Sequence, residues 1–333
     1  MGYFYDPNIH PYSEYQLRLL DVKRSCKMLG IELLEGDYDV ENWINLVRGF
    51  EDEPEKGERC AICFDRRFEV TAQQASKMGE NRFTSTLLTS PKKSLKQLQY
   101  AGDALAKKFG ITFVAPDYRK ASGTQEQNIM AKEEALYRQD YCGCLFALNI
   151  QRDQQKKLAD ELFSPISQQI QPESIEARIE LYQKRWELEE ADKPYKIVKE
   201  RFLNWRQMYG ELRIKKQTVP AHFLPLSTIR NAYSRGKIDL QIGDLHYMNR
   251  DEIKFITLTT YNKLSNKNYG NITELIYHSP IFEEELKVRN QLINNPYDLS
   301  SILVVEEIPT QKLEIIYKSH IYEDVKEVLL EIS

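Results

Sequence analysis

GYFYDPNIHPYSEYQLRLLDVKRSCKMLGIELL, residues 2–34, decides the fold. Gly2 to Tyr5 is the tail of an apolar strand, and Asp6 to Pro11 ends it with proline, asparagine and histidine, which favour turns. Ser13 then stands as the N-cap of a helix that carries Leu17, Leu20 and Met28 on one side and stops at Gly30. Ile31 to Leu34 returns as a buried strand. Parallel neighbours need a crossover, so strand, helix and strand in this order build a parallel sheet.

The alternation continues outward. Val40 to Val47 reads as a short helix, EDEPEKGER (51–59) as a charged loop, and Cys60 as the entrance to a helix that runs to about Met78 and ends at Gly79. Phe83 to Leu88 reads as a strand, Ser90-Pro91 as the start of a helix that stops before Gly110, and Ile111 to Ala115 as a further strand. A helix near Glu126 to Leu136 and the segment YRQDYCGC (137–144) complete an α/β, Rossmann-like domain over residues 1–150. Long charged stretches then predict a helical extension over 151–217. Beyond Thr218, KIDLQIGDLHY, IKFITLTTY, SSILVVEEI and KLEIIYKSHIY alternate as half-buried strands do, which predicts a smaller α+β accessory domain over 218–333.

The composition supports two domains. The chain has 333 residues, 41% apolar and 29% charged, which is the make-up of a folded globular protein and excludes disorder over most of its length. No apolar run approaches the roughly 18 residues of a membrane span, and MGYFYDPNIHP lacks the basic and apolar regions of a signal peptide. A soluble cytoplasmic protein is expected. The net charge of -4 excludes electrostatic capture of nucleic acid by the whole surface and leaves only a local basic patch.

Five cysteines stand at 26, 60, 63, 142 and 144. Close pairs without a secretion signal point to metal or redox chemistry rather than a disulfide framework. Cys60 and Cys63 in ERCAICFDRR can both face one side of a helix's first turn, where free amides favour anionic sulfur. That spacing fits an iron-sulfur ligand pair, a zinc half-site or two buried core cysteines. Cys142 and Cys144 flank Gly143, which gives the backbone freedom to turn both sulfurs inward. A disulfide between them would be strained and easily reduced, which favours redox work or metal ligation; the plain alternative is two reduced loop cysteines. Cys26, beside Met28 and Leu29, reads as core.

His10 lies on the loop after the first strand, where parallel α/β proteins place their sites, and is a candidate proton donor or ligand; a structural role weighs equally. For RNA the best stretch is 193–216, KPYKIVKERFLNWRQMYGELRIKK, with eight Lys/Arg against two Glu. Its Val198, Phe202, Trp205 and Tyr209 recur at helical spacing, so the aromatics read as a core stripe and some cations as phosphate contacts.

Four strings, GYFYDPNIHPYSEY, EPEKGERCAICFDRRFEVTAQQA, FTSTLLTSPKK and ALYRQDYCGC, occur in order between about Gly2 and Phe146. Together they resemble the signature blocks of the QueH-type epoxyqueuosine reductases. The resemblance implies a nucleotide-hydrolase-like α/β fold, a 4Fe-4S cluster and a two-electron removal of the epoxide oxygen from epoxyqueuosine in tRNA, the last step of queuosine biosynthesis. Carried onto this chain, Cys60 and Cys63 become cluster ligands. Cys142 and Cys144 become the family's paired thiols, redox-active or holding a second metal ion beside the cluster. An electron donor is also implied.

The departure is at the front. Family members start with a strand ending in an adjacent Cys-Cys that supplies the remaining cluster ligands, whereas GYFY begins in mid-strand. The expectation is that this strand and its cysteine pair lie upstream in the same reading frame. Two rival readings keep the scaffold without the reaction: a non-catalytic, metal-stabilised RNA-binding protein, and a thiol-disulfide oxidoreductase working through Cys142 and Cys144.

Overall fold

The computed structural model describes residues 1–90, 93–120, 123–163, 167–250, 253–293 and 295–332. Residues 1–162, 178–197 and 331–333 form one compact unit, and residues 163–177 and 198–330 form another.

In the first unit β1 (Gly2–Phe4) crosses through α1 (Tyr12–Met28) to β2 (Leu33–Glu35), which lies parallel to it with Gly2 opposite Leu33. This is the unit read from residues 2–34. The helix starts one residue before Ser13, with Pro11 at the N-cap position, and Met28 is 55% exposed instead of facing the core. Cys26 is half-buried and its sulfur lies against Gly2. Next come α2 (Val40–Leu46) and α3 (Glu58–Lys77). The second parallel pair is β3 (Arg82–Phe83) with β4 (Thr112–Phe113), joined through α4 (Leu95–Phe109). The fold is therefore α/β with helix crossovers.

Two expectations here shift. The strand expected over Phe83 to Leu88 stops at Phe83, because the Ser85 hydroxyl accepts from the Leu87 amide and turns Thr86–Thr89 into a 3-10 helix. The helix expected from Ser90-Pro91 is capped instead by Ser94, whose hydroxyl accepts from the Gln97 amide; Pro91 lies outside the described residues.

Phe64, Phe68, Phe83, Leu88, Leu98 and Phe113 form the core between α3, α4 and the second strand pair. Gly102 is there because the Phe113 ring leaves no room for a side chain: a Cβ would fall 2.1 Å from it. After α5 (Gly123–Glu133) and α6 (Leu145–Gln155), α7 (Ile175–Glu190) returns to α1. Fully buried Arg185 reaches Asp21 at 2.7 Å, and Arg24 holds Glu189 through two bonds of 2.7 and 2.8 Å.

The helical reading of 151–217 fails beyond Glu190. Tyr195–Ile214 is one long strand, β5, followed by β6 (Gln217–Val219). Its valine, isoleucine and aromatic content favours strand, and pairing with another long strand overrides the coincidental helical spacing. Trp205 is buried as expected of a core stripe, but Tyr209 is 48% exposed.

Past it come β7 (His222–Phe223), β8 (Tyr233–Gly236), β9 (Ile238–Ile242), β10 (Leu245–Met248) and β11 (Lys254–Thr257). Three helices follow, α8 (Leu258–Ser265), α9 (Ile272–Tyr277) and α10 (Phe282–Leu292), and then β12 (Ile302–Val305) and β13 (Leu313–Glu331). These make a five-stranded sheet in the order β7-β12-β11-β10-β9, with β11 and β12 parallel, and a four-stranded one in the order β6-β5-β13-β8. The strand expected over IKFITLTTY turns into α8 after Thr257, because the Thr257 hydroxyl caps the Thr260 amide. Among the described residues no helix is long and apolar enough to cross a membrane.

Candidate functional site

The first unit brings Cys60, Cys63, Cys142 and Cys144 together. Cys60 and Cys63 sit on the first two turns of α3, and the Cys60 sulfur accepts the Lys56 amide at 3.3 Å. Cys144 is the N-cap residue of α6 and packs with Trp43, Val47 and Cys63, with Cys142 and Phe146 at the edge of the same cluster. Cys60, Cys63 and Cys144 all lie within electrostatic reach of the Cys142 sulfur.

The loop carrying Cys142 is locked from behind by α1. Arg18 donates to the Cys142 and Tyr141 carbonyls at 3.1 and 3.2 Å, and is itself held by Glu14 at 2.7 Å. Gly143 has φ of +101°, and a Cβ there would come within 2.9 Å of Ile9 and 3.0 Å of Arg18, so the turn requires glycine.

His10 adjoins this turn through its backbone. Its amide donates to the Gly143 carbonyl at 2.8 Å, and its carbonyl accepts from the Tyr141 hydroxyl at 2.8 Å. Burial lowers the pKa of its ring, which favours the neutral imidazole.

Three cations surround the sulfurs, Arg59 and Lys93 buried and Arg67 nearly so. The Lys93 ammonium lies 3.1 Å from the Cys142 sulfur and 3.2 Å from Glu55 Oε1. Arg67 pairs with Asp6 and lies within electrostatic reach of the Cys63 sulfur. Arg59, 2% exposed, holds the Phe50 and Glu51 carbonyls and lies over the Phe146 ring. One nitrogen of Arg59 and the Nε of Arg67 are buried with no hydrogen-bond partner. Burial pushes the Cys63 thiol up to about 12, opposed chiefly by Arg67. It raises Cys60 and Cys144 as well, against Lys56 and Lys93 for the first and the Ala147 amide and Arg59 for the second. Unassisted, these sulfurs stay protonated at neutral pH; something that replaces the proton is needed to make them thiolates.

The donor chemistry suits that replacement. Sulfurs at a helix N-terminus, beside arginine donors with bonds to spare, fit an anionic thiolate-bound group. The ligand count falls short of a cage: among the described residues no three of His, Cys, Asp and Glu are gathered to hold a metal ion.

Sequence reasoning singled out the cysteines and His10 but missed Glu55, Arg59, Arg67 and Lys93. All four lie inside the strings EPEKGERCAICFDRRFEVTAQQA and FTSTLLTSPKK. Nothing local distinguishes them from ordinary surface charges, since only the fold gathers them beside the cysteines.

The basic stretch 193–216 is placed differently. Arg206 is buried and donates to the Asn204 side chain and the Trp205 and Pro172 carbonyls. Arg201 faces Glu323 at 2.9 Å and Lys199 faces Glu327 at 3.9 Å, both across from β13. Lys215 and Lys216 stay exposed in the turn before β6. This arrangement leaves Arg206 to packing, not to phosphate.

Comparison with known proteins gives a consistent result. A family model described as epoxyqueuosine reductase QueH matches residues 1–150. The Helicobacter pylori epoxyqueuosine reductase QueH is 40% identical over 342 residues, covering 97% of this chain and 91% of that protein. The Histophilus somni protein of the same name is 42% identical over 147 residues, 44% of this chain and 60% of its own length. The Thermotoga maritima one is 35% identical over 160 residues, 47% of this chain and 83% of its own.

Proposed function

The chain belongs to the QueH family of epoxyqueuosine reductases, and from that premise we propose that it reduces epoxyqueuosine in tRNA to queuosine by two-electron removal of the epoxide oxygen at an iron-sulfur site. It is an oxidoreductase of queuosine biosynthesis. The observation that carries the finer reading is the convergence of the four cysteines among Arg59, Arg67 and Lys93 near the start of α3. The reaction consumes two electrons and two protons, forms a carbon–carbon double bond and releases water. Its electrons come from a donor protein or reductant outside this chain.

In this reading Cys60 and Cys63 hold a 4Fe-4S cluster, providing two of the four thiolates a cubane needs. When bound, the cluster supplies electrons at low potential. Arg59 and Arg67 lend their spare N–H donors to the anionic sulfur, lowering the cost of the buried charge. Arg18 and Gly143 present Cys142 and Cys144 as the redox-active pair, and His10 lines the same turn. Residues 1–150 are the reductase portion, the remainder is accessory, and the setting is the cytoplasm. The alternative for Cys142 and Cys144 is ligation of a second metal ion.

Anaerobic purification followed by iron, sulfide and zinc analysis tests this. Iron and acid-labile sulfide in equal amounts, lost when Cys60 and Cys63 are both changed to serine, supports the cluster. Stoichiometric zinc with no sulfide overturns it in favour of a metal-stabilised binding protein, and four metal-free thiols with disulfide exchange activity favour the thiol-disulfide oxidoreductase.

A further inference from the structure

Lys93 is a buried ammonium beside the cysteines to which the roles above assign nothing. It is 7% exposed, and its backbone is fixed: its amide donates to the Ser90 carbonyl, and Arg119 bridges the Ser90 and Lys93 carbonyls with bonds of 2.8 Å each. Cys142 and Glu55 take two of the three N–H donors of the ammonium, which leaves one for a bound molecule. The Glu55 side chain is 39% exposed, so the ammonium touches a reacting thiol on one side and a carboxylate in contact with water on the other.

A structural reading of this lysine is weak. Desolvating an ammonium for one half-exposed carboxylate gains little, and an apolar side chain over the Phe64 ring would fill the space more cheaply. His10, the proton donor that the sequence suggests, has its pKa lowered by burial, which favours the neutral ring, and is bonded to the cysteine loop through its backbone.

We infer that Lys93 donates the proton that the epoxide oxygen needs as its ring opens. This rests on the reductase reading above. Both carbon–oxygen bonds break, two electrons from the external donor complete the carbon–carbon double bond, and the oxygen takes two protons to leave as water. Lys93 delivers the first of these protons and solvent the second. Water then reprotonates Lys93 by way of Glu55, so the lysine ends each turnover unchanged.

The test is single turnover on epoxyqueuosine-tRNA under anaerobic conditions, with the wild-type protein, Lys93→Ala and Lys93→Met, and with methylammonium added. We expect tRNA affinity within twofold of wild type, turnover lowered by about 10²–10⁴-fold as for loss of a general acid, and recovery in Lys93→Ala that rises linearly with methylammonium. Lys93→Met keeps the apolar stem, so it serves if the alanine variant unfolds; the same fall in turnover is expected of it, without amine rescue. Turnover close to wild type in either folded variant overturns the inference alone. So does a loss in Lys93→Ala that methylammonium does not restore, or one that follows tRNA affinity. A wild-type protein that carries its full iron and sulfide and is still inactive overturns the reductase reading itself, and this inference with it.

Discussion

The ribbon of β5 and β13 and the cysteine centre are both rich in charge, and they use it in opposite ways. On the ribbon Arg201 meets Glu323 at 2.9 Å and Lys326 meets Glu200 at 3.4 Å, with all four side chains exposed. At the cysteines, Arg59 and Lys93 are buried and Arg67 is nearly so, and two of the arginine nitrogens have no partner. Exposed pairs contribute only about 0–1 kcal/mol, whereas a buried donor left unmade costs roughly 1–3 kcal/mol. Charge matched at the surface is therefore consistent with architecture alone. Charge buried with bonds to spare points to an anion that completes it.

The sharpest way to break this contrast is at the sulfurs. Cys63→Ser should remove bound iron and lower conversion by at least about 10³-fold, the scale of losing an indispensable group; iron content and nucleoside analysis of the tRNA both read it. Retained iron with full conversion would make the centre as ornamental as the ribbon.

A buried pair with every bond made supplies the intermediate case. Glu285 is 2% exposed and accepts from Tyr261 at 3.0 Å and Gln169 at 3.1 Å, with His222 Nε2 at 2.6 Å. Burial alone would raise its pKa, but His222, then Gln169 and Tyr261, more than offset this and lower it. Glu285→Ala, by stranding those partners, should cost about 3–5 kcal/mol in denaturant unfolding. The sign of the pH effect follows. A carboxylate with a depressed folded pKa contributes its full stability above the ordinary value of 4.5 and loses it as the pH falls below that toward the folded value. Wild-type stability should drop in that window, and Glu285→Gln should flatten the drop. An identical acid profile in both proteins would show that the carboxylate is not ionised in the fold.

Gly143→Ala tests the frame that aims Cys142 and Cys144. Its φ of +101° and the crowding by Ile9 and Arg18 predict a loss of about 1–3 kcal/mol of stability. Turnover should fall further than the loss of folded protein explains; an unaffected Tm and rate would mean that the loop does not depend on this turn.

The smallest effect belongs to the ribbon. Arg201→Glu should change stability by no more than about 1 kcal/mol and leave tRNA affinity and its salt dependence as they are. A tenfold loss of affinity with a flatter salt slope would instead make β5 a phosphate-binding surface.

What was legible in the sequence follows the same divide. The β1-α1-β2 unit could be read because Pro7, Pro11 and Gly30 punctuate it and its strands are plainly apolar. The cysteine pairs could be read because sulfur at close spacing is rare enough to stand out. The sequence of the long strand β5 mimics a helix because Val198, Phe202, Trp205 and Tyr209 fall at helical intervals, and only its partner β13, some hundred residues on, decides the matter. The same holds for Lys93: in TSPKK it looks like any surface lysine, and its burial depends on Cys142, 49 residues away along the chain.

The most direct test of the central claim is to incubate the anaerobically reconstituted protein with epoxyqueuosine-tRNA and a low-potential reductant, then digest the tRNA and identify its nucleosides by mass spectrometry. Loss of one oxygen atom from epoxyqueuosine, giving queuosine with wild-type protein and not with Cys60→Ser, is the predicted result. Epoxyqueuosine left intact by protein that carries its full iron and sulfide would contradict it.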